Sequence, residues 1–196
     1  SEPISEGTRC DAGALFDADH DGDLDVLATG PNGTQLLINN RDGTFRDIAA
    51  DIGIIGDGGS QVLVADLDAD RDLDVLIVGS GGNVIWQNDR TWQYKSFPGL
   101  IDFKNTPMKS VTAGDVDADG HQELYGIDLS DNLLVWRFDG VHWANKTILS
   151  RGEKSNGVSE LAISDFDGDG RQEIMRSHGN GFEIIDPNLG LVIHSQ

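Results

Sequence analysis

One acidic stretch returns four times and sets the organisation of the whole chain. Copies begin at Asp17, Asp66, Asp115 and Asp165 and have the sequences DADHDGDLD, DLDADRDLD, DVDADGHQE and DFDGDGRQE. Successive copies start 49, 49 and 50 residues apart. A period near fifty is typical of repeat proteins in which each copy forms one supersecondary unit. The sequence therefore predicts a single assembly of four similar units.

Each copy carries carboxylates at alternating positions of a tight loop. Aspartate occupies loop positions one, three and five, and an acid occupies position nine. Oxygen ligands in this pattern suit calcium, which takes six to eight of them. Four like charges held this close repel each other by about 4 kcal/mol per close pair at an effective dielectric of 20, so a cation is expected in each loop. The predicted ligands are Asp17, Asp19, Asp21 and Asp25; Asp66, Asp68, Asp70 and Asp74; Asp115, Asp117, Asp119 and Glu123; and Asp165, Asp167, Asp169 and Glu173.

Position six tests whether each loop can make its sharp turn. Glycine at this position permits the turn that points the next carbonyl inward. Three copies have it, as Gly22, Gly120 and Gly170, whereas the second copy has Arg71. The second loop is therefore expected to hold a less relaxed backbone, with a cationic side chain beside the ion.

An EF-hand is excluded by position twelve, where that motif places a bidentate glutamate between two helices. Here position twelve is Ala28, Ile77, Gly126 and Arg176, none of which is a carboxylate. A short apolar run follows each loop instead, which predicts a strand. Each loop is thus expected to join two strands.

Four strands are predicted in every repeat, and no long helical period is present. The first runs into the loop (AGALFD, SQVLVAD, KSVTAGD, SELAISD), the second follows the loop, the third is TQLLINN, NVIWQND, NLLVWRFD or FEIIDPN, and the fourth follows Phe45, Trp92, Trp143 or Leu191. Four short strands in fifty residues, with Gly and Asn turns, describe a blade of a β-propeller. The predicted fold is all-β.

The first strand of each repeat has the side-chain pattern of an inner propeller strand. Apolar or small residues lie two positions before the first Asp and alternate with small or polar ones, which suits a crowded axis. The two sets are Leu15, Val64, Ala113 and Ile163, and Ala65, Gly114 and Ser164.

Tryptophans recur at two phases of the repeat. A repeated aromatic position favours packing between blades, and a sugar-stacking platform is the alternative. Trp86 and Trp136 are assigned to the position of Ile38 in the third strand, and Trp92 and Trp143 to that of Phe45 in the fourth.

The chain resembles the FG-GAP/VCBS repeats found in integrin alpha-subunit propellers and bacterial surface proteins. The resemblance rests on DxDxDGxxD before a hydrophobic strand, followed by LeuLeuIleAsnAsn and a GlyThrPhe turn, as in Leu36 to Phe45, and it covers all four copies. It implies a β-propeller of four four-stranded blades with up to four Ca²⁺ ions, one per blade. In that family position seven binds through its carbonyl, which implies Asp23, Asp72, His121 and Arg171 as further ligands. The departure at Arg71 puts only the second site in question.

The repeat also sets the expected domain boundaries. Residues 1–9 form a lead-in, and blades span 10–58, 59–107, 108–157 and 158–196 within one propeller domain. Four blades could close on themselves or belong to a larger ring, since propellers have about four to eight. A homodimer, or further blades from another chain, is therefore a possible partner.

Charge and motif content narrow the classes of function. A formal charge of −20 argues against a nucleic-acid partner, and 18 of the 34 acidic residues lie in the four loops. No apolar run reaches the length of a membrane helix, so no membrane insertion is expected. Four of the five histidines, at His20, His121, His142 and His178, fall at unrelated phases of the repeat, and no catalytic motif is present, so an enzyme is not expected.

These observations predict a calcium-binding, non-enzymatic binding or adhesion scaffold. Calcium near 1 mM would fill such loops, which places the protein outside the cell, on its surface or in a periplasm. A protein or glycan ligand would bind a free propeller face, built from loops such as Ile52 to Gly59 and Ser150 to Asn156. The alternatives are a calcium-dependent lectin and, less favoured, an accessory domain of a polysaccharide lyase or dehydratase.

Overall fold

A computed structural model describes residues 9–54, 58–79, 82–88, 93–97, 100–139, 142–149, 159–178, 181–186 and 191–195. Within these ranges the chain forms sixteen β-strands and one five-residue helix. The predicted all-β class is confirmed. Trp92 and residues 150–156, which the sequence analysis singled out, lie outside the described residues.

The strands form four antiparallel sheets of four, each in chain order. Sheet 1 contains β1 (Ala12–Phe16), β2 (Asp25–Gly30), β3 (Gly33–Asn39) and β4 (Phe45–Asp47). Sheet 2 contains β5 (Gln61–Ala65), β6 (Asp74–Gly79), β7 (Gly82–Asn88) and β8 (Tyr94–Ser96). Sheet 3 contains β9 (Met108–Gly114), β10 (Glu123–Asp128), β11 (Leu133–Phe138) and β12 (Trp143–Leu149). Sheet 4 contains β13 (Leu161–Ser164), β14 (Glu173–His178), β15 (Gly181–Asp186) and β16 (Leu191–Ser195).

The only described helix, α1 (Ile101–Asn105), follows sheet 2. It is anchored by Phe103, which is fully buried and whose carbonyl accepts a hydrogen bond from the Asn83 side chain at 2.8 Å. No described helix has the length and apolar character needed to cross a membrane.

The chain divides into two compact units, each with its own core. The first unit contains sheets 1 and 2 with α1, and the second contains sheets 3 and 4 together with residues 66–71. The strands that follow the acidic loops supply much of each core, because their apolar runs present side chains to both faces of the sheet.

Within the first unit, one face of sheet 1 packs on one face of sheet 2. The row Leu27 and Leu36 of sheet 1 shares a core cluster with Val75 and Trp86 of sheet 2, and Val64 packs against it. Strand register aligns these side chains across each sheet. We call the face of a sheet defined by Val64, Val75 and Trp86 and their equivalents its leading face, and the opposite face its trailing face.

The second unit repeats this packing at the same positions of the repeat. Tyr125 and Val135, on the trailing face of sheet 3, share a cluster with Ile174 and Ile185 on the leading face of sheet 4. Ile163 packs against that cluster. The chain therefore makes one kind of sheet-to-sheet interface twice, once in each unit.

Register corrects the assignment of the tryptophans. Trp86 pairs with Val75 as Leu37 pairs with Val26, so Trp86 is equivalent to Leu37 rather than to Ile38. The third strands contain adjacent apolar residues, so Trp86 could be matched to either Leu37 or Ile38. The prediction matched it to Ile38, which is wrong.

Sheet 3 has the same arrangement, with Trp136 opposite Leu124, after a β10–β11 turn that is one residue longer. Trp86 and Trp136 are both buried, and Trp86 lies in the core of the first unit, as the packing interpretation predicts.

The fourth-strand position of Phe45 is filled by aromatic residues in sheets 2 and 3. Phe45 pairs with Asn39, Tyr94 with Asn88, and Trp143 with Phe138. Tyr94 therefore holds in sheet 2 the place that the sequence alignment gave to Trp92.

A buried ion network ties the two sheets of the second unit together. Arg176 of β14 is 0% exposed, and its guanidinium donates to the Asp131 carbonyl at 3.0 Å and lies 3.7 Å from Glu183. Lys109 donates to the Asp131 carboxylate at 2.7 Å. Buried charges require partners of this kind, because leaving one uncompensated is strongly destabilising.

Candidate metal sites

The four acidic loops each join the first strand of a sheet to the second. They run over residues 17–24, 66–73, 115–122 and 165–172, between β1 and β2, β5 and β6, β9 and β10, and β13 and β14. This confirms the prediction that the loops lie between strands and excludes the helix-flanked EF-hand.

The first carboxylate of each loop holds the backbone in a tight coil. In the first loop Asp17 accepts hydrogen bonds from the N–H groups of Asp21 and Gly22, both at 3.0 Å. Asp66 and Asp115 do the same at positions five and six of their loops, at 3.0 to 3.1 Å. Asp165 accepts from Gly170 at 3.0 Å and from Gly168 at 2.6 Å. The loop shape is therefore built by the protein's own hydrogen bonds.

Two residues of every loop adopt left-handed backbone conformations. Position six has φ of 91°, 76°, 92° and 93° at Gly22, Arg71, Gly120 and Gly170. Arg71 thus adopts the glycine conformation, as expected from its place in the repeat. Position four is also left-handed, at His20, Ala69, Ala118 and Gly168, with φ between 58° and 80°. The sequence analysis missed this second turn, and only Gly168 offered a signal for it.

The ninth position is buried and begins the second strand. Asp25 is 0% exposed and accepts backbone N–H bonds from Ala18 at 2.8 Å and Asn39 at 2.9 Å. In sheet 2, Asp74 accepts from the Asn88 N–H at 2.9 Å. These carboxylates fasten the loops to the third strand.

The longer glutamate serves the same position in sheets 3 and 4. Glu123 accepts from the Val116 N–H at 3.2 Å, and Glu173 from the Phe166 N–H at 2.9 Å. Glu123 also accepts a hydrogen bond from the Tyr125 hydroxyl at 3.1 Å.

In each loop three carboxylates bring oxygen atoms within 4.8 Å of one another. Loops 1, 3 and 4 use positions one, three and nine, whereas loop 2 uses positions one, three and five. The groups are Asp17, Asp19 and Asp25; Asp66, Asp68 and Asp70; Asp115, Asp117 and Glu123; and Asp165, Asp167 and Glu173.

These donor sets fit a hard divalent cation such as calcium. They consist of oxygen atoms alone, which is the ligand type that calcium prefers. Burial, with added repulsion from Asp21 and Asp25, raises the pKa of Asp19. Burial and the charge of Asp117 likewise raise the pKa of Glu123. In both cases burial and, after it, neighbouring negative charge disfavour the ionised carboxylate, and a bound cation would favour it.

The other predicted ligands lie in the same loops but outside these three-residue groups. Asp119 and Asp169 accept N–H bonds from position seven of their own loops, at 2.9 and 2.8 Å. Asp72 lies 3.7 Å from His20 Nε2. Those not in a group are Asp21, Asp23, Asp72, Asp74, Asp119, His121, Asp169 and Arg171.

The first loop carries a protein cation of its own. Arg41 donates to the Asp23 carboxylate at 2.7 Å, lies 3.1 Å from the Asp21 carboxylate, and also contacts the Asp21 carbonyl. The bond to Asp23, followed by the charge of Asp21, raises the pKa of Arg41. Arg41 lies beyond β3, far from the loop in sequence, so no local spacing could have identified it.

A second arginine lies beside the third loop. Arg137 of β11 is 3.3 Å from Asp117. Sequence reasoning missed it too, because a contact between a loop and a strand 20 residues later cannot be found from local spacing.

The sequence matches the FG-GAP-like repeat family over residues 17–77, 66–126 and 115–175. These matches span most of the chain, and the protein belongs to this family. The resemblance inferred from the loop motif is thereby confirmed. No curated protein sequence matches the chain.

Solved structures with a similar fold include an Agrocybe aegerita lectin that recognises non-reducing terminal N-acetylglucosamine. It is 19% identical, with a TM-score of 0.59 over 94% of this chain. The Vibrio cholerae biofilm matrix protein Bap1 is 14% identical, with a TM-score of 0.48 over 95% of this chain. The chain spans 52% of the lectin chain and 39% of the Bap1 chain, so it corresponds to about half of these proteins or less.

Proposed function

We propose that the protein is a calcium-stiffened, non-enzymatic binding scaffold whose four sheets are blades of a β-propeller. The observation that carries this proposal is the recurrence of three clustered carboxylates in all four loops. Membership of the FG-GAP-like repeat family supports it. In this proposal the blades span 10–58, 59–107, 108–157 and 158–196, and residues 1–9 are a lead-in.

Calcium in the loops would act on stability rather than on chemistry. If each site binds at about 0.1 mM in a medium of about 1 mM calcium, each contributes about 1.4 kcal/mol and four contribute about 6 kcal/mol. This is comparable to the net stability of a typical domain, about 5 to 15 kcal/mol. The ions would be structural, and the ligands would be the twenty loop residues predicted from the repeat.

We propose that the protein works where calcium is abundant, because sites that bind at about 0.1 mM stay filled only there. Outside the cell, on its surface or in a periplasm, millimolar calcium would keep the loops filled. The faces left free by blade packing would bind a protein or glycan partner. The formal charge of −20 argues against a nucleic-acid partner, because phosphate binding needs a basic surface.

Thermal unfolding during a calcium titration, against a chelated sample, tests the proposal. We expect a saturable rise in melting temperature. At roughly 2 to 4 °C per kcal/mol for a chain of this size, four filled sites correspond to a rise on the order of 10 to 20 °C. An unchanged melting temperature in 1 mM calcium would contradict the scaffold proposal.

Matched variants connect that rise to the loops. Asp19 contributes to the first carboxylate group and accepts a loop N–H bond at 3.1 Å, which an asparagine can still accept. Asp19→Asn should reduce the calcium-dependent rise while changing the chelated protein little. Asp51→Asn, at an exposed acid outside the loops, is the control and should leave the rise intact.

A second candidate function is calcium-dependent carbohydrate binding. The similarity in fold to a lectin that recognises terminal N-acetylglucosamine favours it. A glycan array probed in calcium and in chelator, including glycans with terminal N-acetylglucosamine, would test it. Binding that chelator abolishes would support a lectin, and silence across the array with calcium present would eliminate it.

A further inference from the structure

One position of the third strand differs in charge among the four sheets. Strand register places Trp136 opposite Leu124 and Ile185 opposite Ile174, and both Leu124 and Ile174 directly follow the ninth loop position. The residue after Trp136 is therefore equivalent to the residue after Ile185. We call this place the flanking position. Sheets 1 to 4 have Ile38, Gln87, Arg137 and Asp186 there.

Arg137 lies against the carboxylate group of the third loop. Its guanidinium is 3.3 Å from Asp117 Oδ2, and Asp117 shares its group with Asp115 and Glu123. Burial and then the charge of Asp117 raise the pKa of Glu123, whereas the charge of Arg137 acts on it in the opposite direction. Arg137 therefore acts on two of the three carboxylates.

The same group contains an acceptor that no protein donor satisfies. Asp117 Oδ1 is buried and receives no hydrogen bond from the part of the chain that the structure describes. A buried carboxylate oxygen without a partner is costly, and a metal ion is one partner that would remove this cost. Asp117 thus has one oxygen beside Arg137 and one oxygen free for an ion.

The fourth loop lacks a cation of this kind. Its group has the same composition as the third, with aspartates at positions one and three and a glutamate at position nine. Within the described ranges, none of these three carboxylates forms an ion pair with an arginine or a lysine. Arg171 belongs to this loop, and it contacts Asp169 through its backbone N–H. The two sites are therefore matched in their acids but differ at the flanking position, which is basic at Arg137 and acidic at Asp186.

We propose that Arg137 sets the affinity of the third site, by lowering its affinity for calcium below that of the fourth site. A guanidinium and a calcium ion compete for the same carboxylate charge, so Arg137 stabilises the empty loop and repels the ion. At the fourth site Asp186 acts in the opposite direction. The two matched sites then fill at different calcium concentrations, and the third empties first when calcium falls. The inference rests on the proposed calcium scaffold and concerns the regulation of its sites.

Calcium calorimetry on a chain that retains only the third carboxylate group tests the inference. The background carries asparagine in place of Asp19, Asp68 and Asp167, and circular dichroism checks that it is folded. Adding Arg137→Gln should tighten calcium binding by about two- to fivefold, the range expected when a solvent-exposed ion pair is lost. This gain should shrink at high salt, because the interaction is electrostatic.

Two further variants separate charge from structure. Arg137→Lys keeps the positive charge and should leave the affinity near its starting value. Lys146→Gln removes a positive charge from an exposed residue of β12 in the same sheet, and it should not change the affinity. If Arg137 had a structural role alone, its replacement would lower the melting temperature in chelator and leave the calcium affinity unchanged.

The melting temperature of the otherwise unaltered chain gives a second measurement. In chelator Arg137→Gln should lower it, because the charge of Asp117 loses its partner. At a subsaturating calcium concentration of about 0.1 mM, the rise above the chelated value should be larger than in the wild-type chain. This comparison needs no altered loop, so it remains valid if the single-site background does not fold.

The fourth site supplies the reciprocal test. A chain that retains only the fourth carboxylate group should bind calcium more tightly than the chain that retains only the third, and Asp186→Asn should weaken that binding. Normal calcium binding by the wild-type chain, with equal affinities at the two sites or no effect of Arg137→Gln, would overturn the inference and leave the scaffold intact. A wild-type chain that binds no calcium would overturn both.

Discussion

At the scale of single residues, the loops depend on backbone conformations that most side chains avoid. Arg71 holds φ at 76°, where the other three loops have glycine. A non-glycine residue in this region costs about 1 kcal/mol or more, because its Cβ crowds the following carbonyl. At position six, the second loop therefore carries a local strain that the other three loops avoid.

Replacing the residue at position six should change the free energy of unfolding, with opposite signs in the second and third loops. Arg71→Gly is expected to raise the stability of the folded chain by up to about 1 kcal/mol, less the entropy that glycine adds to the unfolded state. Gly120→Ala should lower it by about 1 kcal/mol, since an added Cβ there meets no atom within 4 Å and only the backbone penalty remains. Chemical denaturation in chelator measures both, and opposite signs are required.

Arg41 makes a second residue-scale prediction about the first loop. Its guanidinium neutralises part of the charge of Asp21 and Asp23 when no metal is bound. Arg41→Gln should destabilise the chelated protein and enlarge the rise in melting temperature that calcium produces. Arg46→Gln, at an exposed residue of β4, is the control. An unchanged rise in the Arg41 variant would show that this side chain does not influence the first site.

At the scale of strands, two sheets of the second unit approach each other closely at Gly114. A Cβ added there would lie 2.9 Å from Ile163 Cγ2 and 3.0 Å from the Gln172 side-chain oxygen. The sequence analysis attributed the small residue at this position to an inner strand beside a crowded axis. The crowding partner, Ile163, could not be named from the sequence, because it lies in another sheet.

A double-mutant cycle tests this approach. Gly114→Ala should destabilise the chain by about 1 to 3 kcal/mol through overpacking. Ile163→Ala opens the space that the new methyl group would occupy, so the double variant should be more stable than the sum of the single effects. Strict additivity, measured by urea unfolding, would mean that the two positions do not meet.

The strands illustrate how far the sequence could lead. Period-two alternation and turn residues were enough to predict all sixteen strands, since both signals are local. Register was harder: Trp86 was aligned with Ile38 rather than Leu37, because adjacent apolar residues look alike in a short run. Contacts between a loop and a later strand, such as Asp117 with Arg137, also depend on register, and they escaped prediction for that reason.

At the scale of the whole molecule, the four loops should act as one stabilising set. Asp19, Asp68, Asp117 and Asp167 are the third-position acids, and each belongs to its loop's carboxylate group. Changing all four to asparagine should abolish the calcium-dependent rise in melting temperature, whereas each single change should remove about a quarter of it if the sites bind equally. A rise that persists in the fourfold variant would place the binding outside the loops.

The clusters of carboxylates could be predicted from the spacing of the acids, and the fourfold recurrence of this motif led to the FG-GAP-like repeat family. What spacing could not supply is the set of contacts that shape each cluster. Asp25 binds the Ala18 and Asn39 N–H groups at once, and Asn39 lies on the third strand. Asp25, a predicted calcium ligand, therefore also links its loop to the third strand. The sequence alone does not reveal this second role.

The hydrogen bonds that the first carboxylate of each loop accepts have a consequence for how an ion would arrive. Asp17 and its equivalents coil the backbone without assistance, so an incoming cation would meet a receptor that is already assembled. Binding would then proceed without a slow rearrangement, and its rate would follow the exchange of water around the ion. Calorimetry of calcium binding should therefore show a binding heat that depends on salt and a heat-capacity change close to zero. The far-UV circular dichroism spectrum should hardly change.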